Sequence, residues 1–206
     1  MEFEAIVALV DGQVRTYEAV ADSRRPSLDD VARGIASWPA GKRVSVNLGE
    51  DALDDPAFVT RVLETATRHG VAPQRFVFEI DEWIASADLD RTRRLVDELA
   101  SHRIQSGLDC FGTGSASLQT LTALPVDFVK IDRSSVPTSD AGPLRTDLVA
   151  AIVAAAKVLS IETVAQGVES LSTLARVIAL DCDYAQGPLF GGHGGQVRTA
   201  HQDGVA

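Results

Sequence analysis

Glu18, Asn47, Glu79, Asp109, Asp132, Gln166 and Gln186 all carry side-chain oxygens, and each stands at or near the C-terminal end of an apolar stretch that reads as a strand. Carboxylates together with an amide carbonyl suit hard divalent cations such as magnesium, manganese or calcium. Zinc would draw on histidine and cysteine, yet His69, His102, His193 and His201 fall on predicted helices or in the C-terminal tail. Lys130 lies two residues before Asp132 and so shares its strand face. A lysine there can orient water or balance a phosphate beside metal-bound carboxylates. A salt bridge that neutralises the acids is the plainer role, and the two are compatible. One acid at a strand end is ordinarily a helix cap. Seven acid or amide residues on successive strands point instead to a shared site, provided the strand ends meet at one rim.

The predicted elements supply that rim. "FEAIVALVDGQVRTYEAV" reads as a hairpin of two apolar runs joined at a tight Asp11-Gly12 turn. Residues 27–37 read as a helix with Ser27 as N-cap, and "RVSVNL" as a strand. Asp55-Pro56 opens a helix with a Phe58, Val59, Val62, Leu63, Ala66 stripe, closed by Gly70. The strands "RFVFEI", "IQSGLDC", "VDFVKI", "IETVAQ" and "DYAQ" then alternate with helices over about 88–103, 117–123, 146–159 and 172–180. Strands alternating with helices imply a parallel sheet covered on its outer face. Eight strands, counting both hairpin arms, predict an α/β fold of the TIM (β/α) barrel type with an antiparallel first strand; a doubly wound sheet is the alternative. Residues 1–190 read as one barrel domain and 191–206 as a flexible Gly-rich tail.

Composition narrows the function classes. The 206 residues are 45% hydrophobic and 23% charged, as in a soluble globular domain. A net charge of -10 repels a phosphate backbone and argues against nucleic-acid binding. The two cysteines, Cys110 and Cys182, have no CxxC spacing, and no apolar run approaches membrane-spanning length. A reduced, cytoplasmic setting is the expectation.

The stretch "SGLDCFGTGSASL" places Cys110 directly after Asp109 and before a Phe-Gly-Thr-Gly turn. A thiol is mostly neutral at neutral pH and is a soft ligand poorly suited to magnesium. With no basic neighbour to make a thiolate, Cys110 reads as a small packing residue in preference to a redox or metal group.

The segments "YEAV", "VSVNL", "FEIDE", "LDCFGTGSASL", "LPVDFVKIDRS", "TVAQGVES" and "CDYAQGPLF" resemble, in order, the EAL domain, the cyclic di-GMP phosphodiesterase module of bacterial signalling. The resemblance runs from about Phe3 to Phe190 and implies a modified TIM barrel. It implies magnesium or manganese activating a water that opens cyclic di-GMP to linear pGpG. Glu18, Asn47, Glu79, Asp109 and Asp132 match the family's metal-ligand positions, and Lys130 its water-orienting lysine. Gln186 matches a glutamine near the ligand and Glu169 the second glutamate of the EGVE block. Phe111 to Gly114 match a loop that couples metal binding to dimer contacts, so a homodimer is within the resemblance.

Four departures bear on function. Cys110 stands where the family has a second aspartate, and Gln166 where it has a glutamate assigned as general base. An amide takes no proton at neutral pH. Losing a positioned base costs about 10²–10⁴ in rate. The segment between Glu18 and Asn47 is short, with Asp22 near the place of a phosphate-holding arginine and Arg24 and Arg25 as candidate substitutes. Asp81 replaces a threonine. The reading is a degenerate, non-hydrolysing EAL domain acting as a regulatory or binding module, either a cyclic di-GMP sensor or a protein-interaction domain. Magnesium or manganese then has room in one site, and no other cofactor is called for. The alternative is an active phosphodiesterase with Asp81 or Glu82 as base, and a barrel enzyme for another phosphate ester is a third reading.

Overall fold

A computed structural model describes residues 1–20, 25–113, 118–137 and 143–191. The strands β1 (Glu2–Ala8), β2 (Val14–Val20), β3 (Arg43–Leu48), β4 (Phe76–Asp81), β5 (Gln105–Phe111), β6 (Phe128–Ile131), β7 (Glu162–Ala165) and β8 (Tyr184–Gln186) close into a barrel in sequence order. β1 is antiparallel to both neighbours, β2 and β8, while β2 to β8 run parallel. The predicted barrel with an antiparallel entrance is therefore the observed fold, and the doubly wound sheet is excluded.

Helices α1 (Leu28–Ile35), α2 (Glu50–Asp54), α3 (Phe58–Arg68), α4 (Glu82–Ala87), α5 (Leu89–Ser101), α6 (Leu118–Ala123), α7 (Pro143–Val158) and α8 (Leu171–Ala179) follow the strands. Local chemistry sets their starts. Ser27 Oγ accepts the Asp30 N–H at 3.1 Å, Asp88 Oδ1 the Arg91 N–H at 2.9 Å, and Ser170 Oγ the Thr173 N–H at 3.1 Å. The predicted stripes face inward: Phe58, Val59, Val62 and Ala66 on α3 and Leu95, Val96 and Leu99 on α5 are all buried.

Two features differ from the sequence reading. The hairpin connection is a loop over residues 9–13, closed by Ala8 N–H to Gln13 O and Gly12 N–H to Ala8 O, both 2.9 Å. A bulge between Ile6 and Val7 accompanies it. Gly12 does take the positive φ, +68°, that the Asp-Gly pair suggested, but not within a two-residue turn. The short helices α2 and α4 interrupt predicted loops, being too short to show a 3.6-residue period. The Gly-rich tail beyond Gly191 lies outside the described residues. Among the described residues no helix is long and apolar enough to cross a membrane.

Two apolar layers flank the sheet. The larger packs the helices on the barrel's outside. The smaller, Ile6, Val77, Phe128 and Val164 with Tyr184 against it, fills the lower barrel interior. Gly107, beside Phe128 in the β5–β6 register, makes room for that ring. A Cβ at Gly107 would lie 2.4–2.6 Å from three Phe128 ring atoms. Gly107→Ala is therefore expected to cost about 1–3 kcal/mol by overpacking. A thermal melt should show a midpoint about 3–10 °C lower.

Candidate functional site at the C-terminal rim

Above the apolar plug the barrel interior turns polar. Lys130 is fully buried, and its Nζ donates to Glu18 Oε2 and Glu79 Oε2, both at 2.7 Å, with Asp109 Oδ1 at 3.9 Å. Asn47 Nδ2 donates to Glu18 Oε1 at 2.6 Å, and Gln186 Nε2 to Glu18 Oε2 at 2.7 Å. Gln166 Nε2 donates to Asp109 Oδ1 at 2.9 Å. One cluster thus joins Glu18, Asn47, Glu79, Asp109, Lys130, Gln166 and Gln186 from seven strands or their ends. They meet because residues two apart on a strand share a face and the ends of parallel strands share a rim.

Lys130 acts here as the counter-charge of the acid cluster, the plainer of its two sequence-based roles. Burial works against charge on its ammonium, but the carboxylates of Glu79, Glu18 and Asp109 outweigh it and hold the pKa above the usual lysine value. Its two main partners diverge. Burial also works to raise Glu18, yet Lys130 and the Gln186 and Asn47 amides outweigh it and bring the carboxyl below its usual range. Glu79, sealed from solvent, is pushed up to about 7 by burial and by the neighbouring Glu18 and Asp109 charges, which Lys130 only partly offsets. The difference follows from the fuller burial of Glu79 and the acids beside it, and from the two amides that Glu18 has and Glu79 lacks.

Asp132 and Glu169 do not join the hydrogen-bonded cluster. Asp132 Oδ1 accepts the Ser134 N–H at 2.7 Å, the turn role common for an acid at a strand end. Glu169 is exposed in the loop after β7. Sequence reasoning missed Glu4, whose Oε2 accepts from Gln186 Nε2 at 3.1 Å. Its place two residues before Ile6 on β1, opposite Glu18 in register, was the available signal.

Cys110 is half-buried and lies in the left-handed region, φ 55°, at the irregularity where the β5–β6 register shifts. Aspartate and asparagine tolerate that conformation better than most residues. Its N–H donates to Asp109 Oδ1 at 2.8 Å. Burial, the charges of Asp109, Asp81 and Asp132, and a hydrogen bond to Asp81 push the thiol up to about 12. Iodoacetamide labelling of Cys110 in a Cys182→Ser background at pH 8 should run about 10³-fold slower than an unperturbed thiol. Labelling at the ordinary rate would mean a thiolate is present. Asp81 also caps α4, accepting the Trp83 N–H at 3.0 Å. Glu82 is buried, with Oε2 3.4 Å from the Gly112 N–H, and burial raises its pKa. Ser135 Oγ donates to Gly112 O at 3.1 Å, so the start of the Phe-Gly-Thr-Gly turn is tied from two sides. Gly114 lies outside the described residues.

Asp22 and Arg24 also lie outside the described residues. Arg25 pairs with Asp51 at 2.9 Å and lies across Gly49, just beyond Asn47: a Cβ there would meet its guanidinium at 1.6 Å. His69 pairs with Asp29 at 2.9 Å, and His102 closes α5.

The donor set fits a hard cation in chemistry. Glu79 Oε1 is buried with no hydrogen-bond partner among the described residues, in a rim of oxygen donors. Glu79, Asp109 and Asp132, with Glu18 and Asn47 once released from each other, are the residues that would hold it. Among the described residues no three His, Cys, Asp or Glu side chains already stand at metal-ligand spacing, since Lys130 bridges Glu18 and Glu79.

Fold and rim together define a TIM-like α/β barrel with an acid-lysine-amide cup at its C-terminal face. Residues 25–192 match the family model of the EAL domain, and the chain belongs to that family. It is 34% identical over 163 residues to an uncharacterized protein of Azorhizobium caulinodans, covering 78% of this chain and 21% of the relative. It is 30% identical over 220 residues to the cyclic di-GMP phosphodiesterase NbdA of Pseudomonas aeruginosa, covering 92% and 28%. Among solved structures it resembles the PaMucR phosphodiesterase in its c-di-GMP complex, with TM-score 0.83, 26% identity and 92% and 94% coverage. The EAL domain of Mycobacterium smegmatis DcpA gives TM-score 0.81, 27% identity and 90% and 86% coverage. The chain spans about a quarter of the length of curated relatives such as these, 21% and 28% for the two named.

Proposed function

We propose that this chain is a degenerate EAL domain: a regulatory or binding module of cyclic di-GMP signalling that does not hydrolyse the nucleotide. The observation that carries the reading is Gln166. Facing a carboxylate oxygen at 2.9 Å, its amide must present N–H, so the base position holds a donor that accepts no proton. Cys110 adds to this, because a thiol pushed up to about 12 supplies neither charge nor a hard oxygen. The substitutes raised by the sequence are already engaged: Asp81 caps α4 and takes the Cys110 thiol, and Glu82 faces the Gly112 N–H.

The remaining cup suits an anionic ligand through a divalent ion or through Arg25, which stands over the end of β3. Cyclic di-GMP is the ligand to test first, because PaMucR, of the same fold, is described in complex with it. A protein partner or a second copy of the domain is the other mode for such a module. The second reading is a one-metal phosphodiesterase with magnesium or manganese. It is favoured by the free Oε1 of Glu79 and by the names of relatives such as NbdA.

Incubation of the purified protein with cyclic di-GMP and Mn²⁺, followed by chromatography, separates the two. The nucleotide is expected to remain intact, with any binding seen by titration calorimetry. Formation of pGpG at ordinary enzyme rates, about 10 s⁻¹, would overturn the non-hydrolysing reading.

A further inference from the structure

The C-terminal face carries a guanidinium that the hydrogen-bonded acid cluster does not use. Gly49 follows β3 directly, and its backbone is still extended, with φ -108° and ψ 179°. Strand alternation therefore continues one residue past Leu48. Leu48 packs into the outer apolar layer, whereas Asn47 and position 49 face the barrel axis. Gly49 has no side chain to put there, and the Arg25 guanidinium takes the space: a Cβ at 49 would overlap three of its atoms. Backbone strain does not call for this glycine, since any residue adopts its φ and ψ. What the glycine provides is room for Arg25.

Asp51 aims the guanidinium. Arg25 Nη1 donates to Asp51 Oδ1 at 2.9 Å. The two side chains are 51% and 85% exposed, and an ion pair that open is weak. It leaves most of the fork unused, because among the described residues Nε and Nη2 donate to nothing. An Nε–Nη2 edge matches two oxygens of a phosphate, and its charge persists at any working pH. The nearest acid of the cup is already covered, with Lys130, Asn47 and Gln186 all donating to Glu18.

We propose that Arg25 is a metal-independent phosphodiester subsite. Its Nε–Nη2 edge takes the two non-bridging oxygens of one phosphate of cyclic di-GMP, in the space that Gly49 keeps open. The inference rests on the cyclic di-GMP reading above and names how that ligand is held. Gly49 and Asp51 are positioning residues, and Arg25 is the group that touches the ligand.

Titration calorimetry of the full chain with cyclic di-GMP, in EDTA and again in Mn²⁺, tests the subsite. Binding in EDTA is expected, and Arg25→Gln should weaken it about 10–100-fold, as for loss of hydrogen bonds to a charged group. Arg25→Lys should recover only part, since an ammonium presents no fork. Gly49→Ala keeps the arginine but displaces its flexible tip, and should weaken binding by a comparable factor in a chain that still melts like wild type. Added to Arg25→Gln, it should cost nothing further. Binding in EDTA that Arg25→Gln leaves unchanged would overturn the subsite and leave nucleotide sensing standing. Binding that needs Mn²⁺ would do the same, because the anchor is then the metal. Formation of pGpG in the Mn²⁺ arm, alongside Arg25-dependent binding in EDTA, would overturn the non-hydrolysing reading and keep the subsite. Absence of binding in both arms would overturn the subsite and the sensing mode together.

Discussion

Lys130→Met should lower the stability of the metal-free protein at pH 8 by about 3–5 kcal/mol, the cost of stranding a buried charge. In a chain of this length that is a fall in melting midpoint on the order of 10 °C. The reason lies in the geometry: two buried carboxylates converge on one ammonium at 2.7 Å, and among the described residues Glu79 has no other donor. The loss should also depend on pH. Without the lysine, the folded-state pKa values of Glu18 and Glu79 both rise above the unfolded value of about 4.5. Groups raised in this way bind more protons folded than unfolded, so stability is retained in acid and lost as pH rises through the folded pKa. Glu18, held low in wild type, should open the gap between variant and wild type from about pH 5, and Glu79, already near 7 with Lys130 present, should add to it above pH 7, where the gap is widest. Adding Glu79→Gln to Lys130→Met removes one of the stranded charges and should recover part of the loss. Equal melting of Lys130→Met and wild type at pH 8 in chelator would mean that Lys130 is not the counter-charge of the cluster.

The sequence made the rim legible because two simple periods place it. Polar residues ending apolar strands, repeated around a closed parallel sheet, must converge whatever the loops do, and Glu18, Asn47, Glu79, Asp109, Gln166 and Gln186 do so. Helix starts were readable where a side-chain cap announces them, as at Ser27. What stayed hidden depends on direction and distance rather than on type. Nothing in "FVKIDRS" tells whether Lys130 or Asp132 reaches the barrel axis. The strand ends at Ile131, which leaves Asp132 to a turn and Lys130 to the interior. Glu169, matched by motif alone, lies exposed in the loop past Val168 and outside the hydrogen-bonded cluster. The left-handed backbone of Cys110 was invisible because cysteine is an unusual residue for that conformation. Ser45 drew no notice, since a serine inside an apolar strand ordinarily bonds to nearby backbone; here its hydroxyl is buried with no hydrogen-bond partner among the described residues.

Restoring the two altered rim positions together, Cys110→Asp with Gln166→Glu, should convert the cup into a metal-demanding site. The backbone at position 110 already suits aspartate, so that change adds charge at little conformational cost. At 166, a carboxylate would replace the amide that now donates to Asp109 at 2.9 Å, turning an attraction into repulsion between like charges. In chelator at pH 8 the double variant should melt several degrees below wild type. Saturating Mn²⁺ should then raise its midpoint by more than it raises wild type. Ligand at a hundred times its dissociation constant stabilises by about 2.7 kcal/mol, which corresponds to about 5–10 °C here. Recovery of a proton acceptor should also bring cyclic di-GMP cleavage, with a rise of about 10²–10⁴-fold over the wild-type rate for the base alone. The single variants separate the contributions. Cys110→Asp should carry most of the metal response, and Gln166→Glu should carry the turnover once metal is bound. A double variant that folds yet gains no metal-dependent stabilisation over wild type would show that the placement of the rim, rather than these two side chains, limits metal binding.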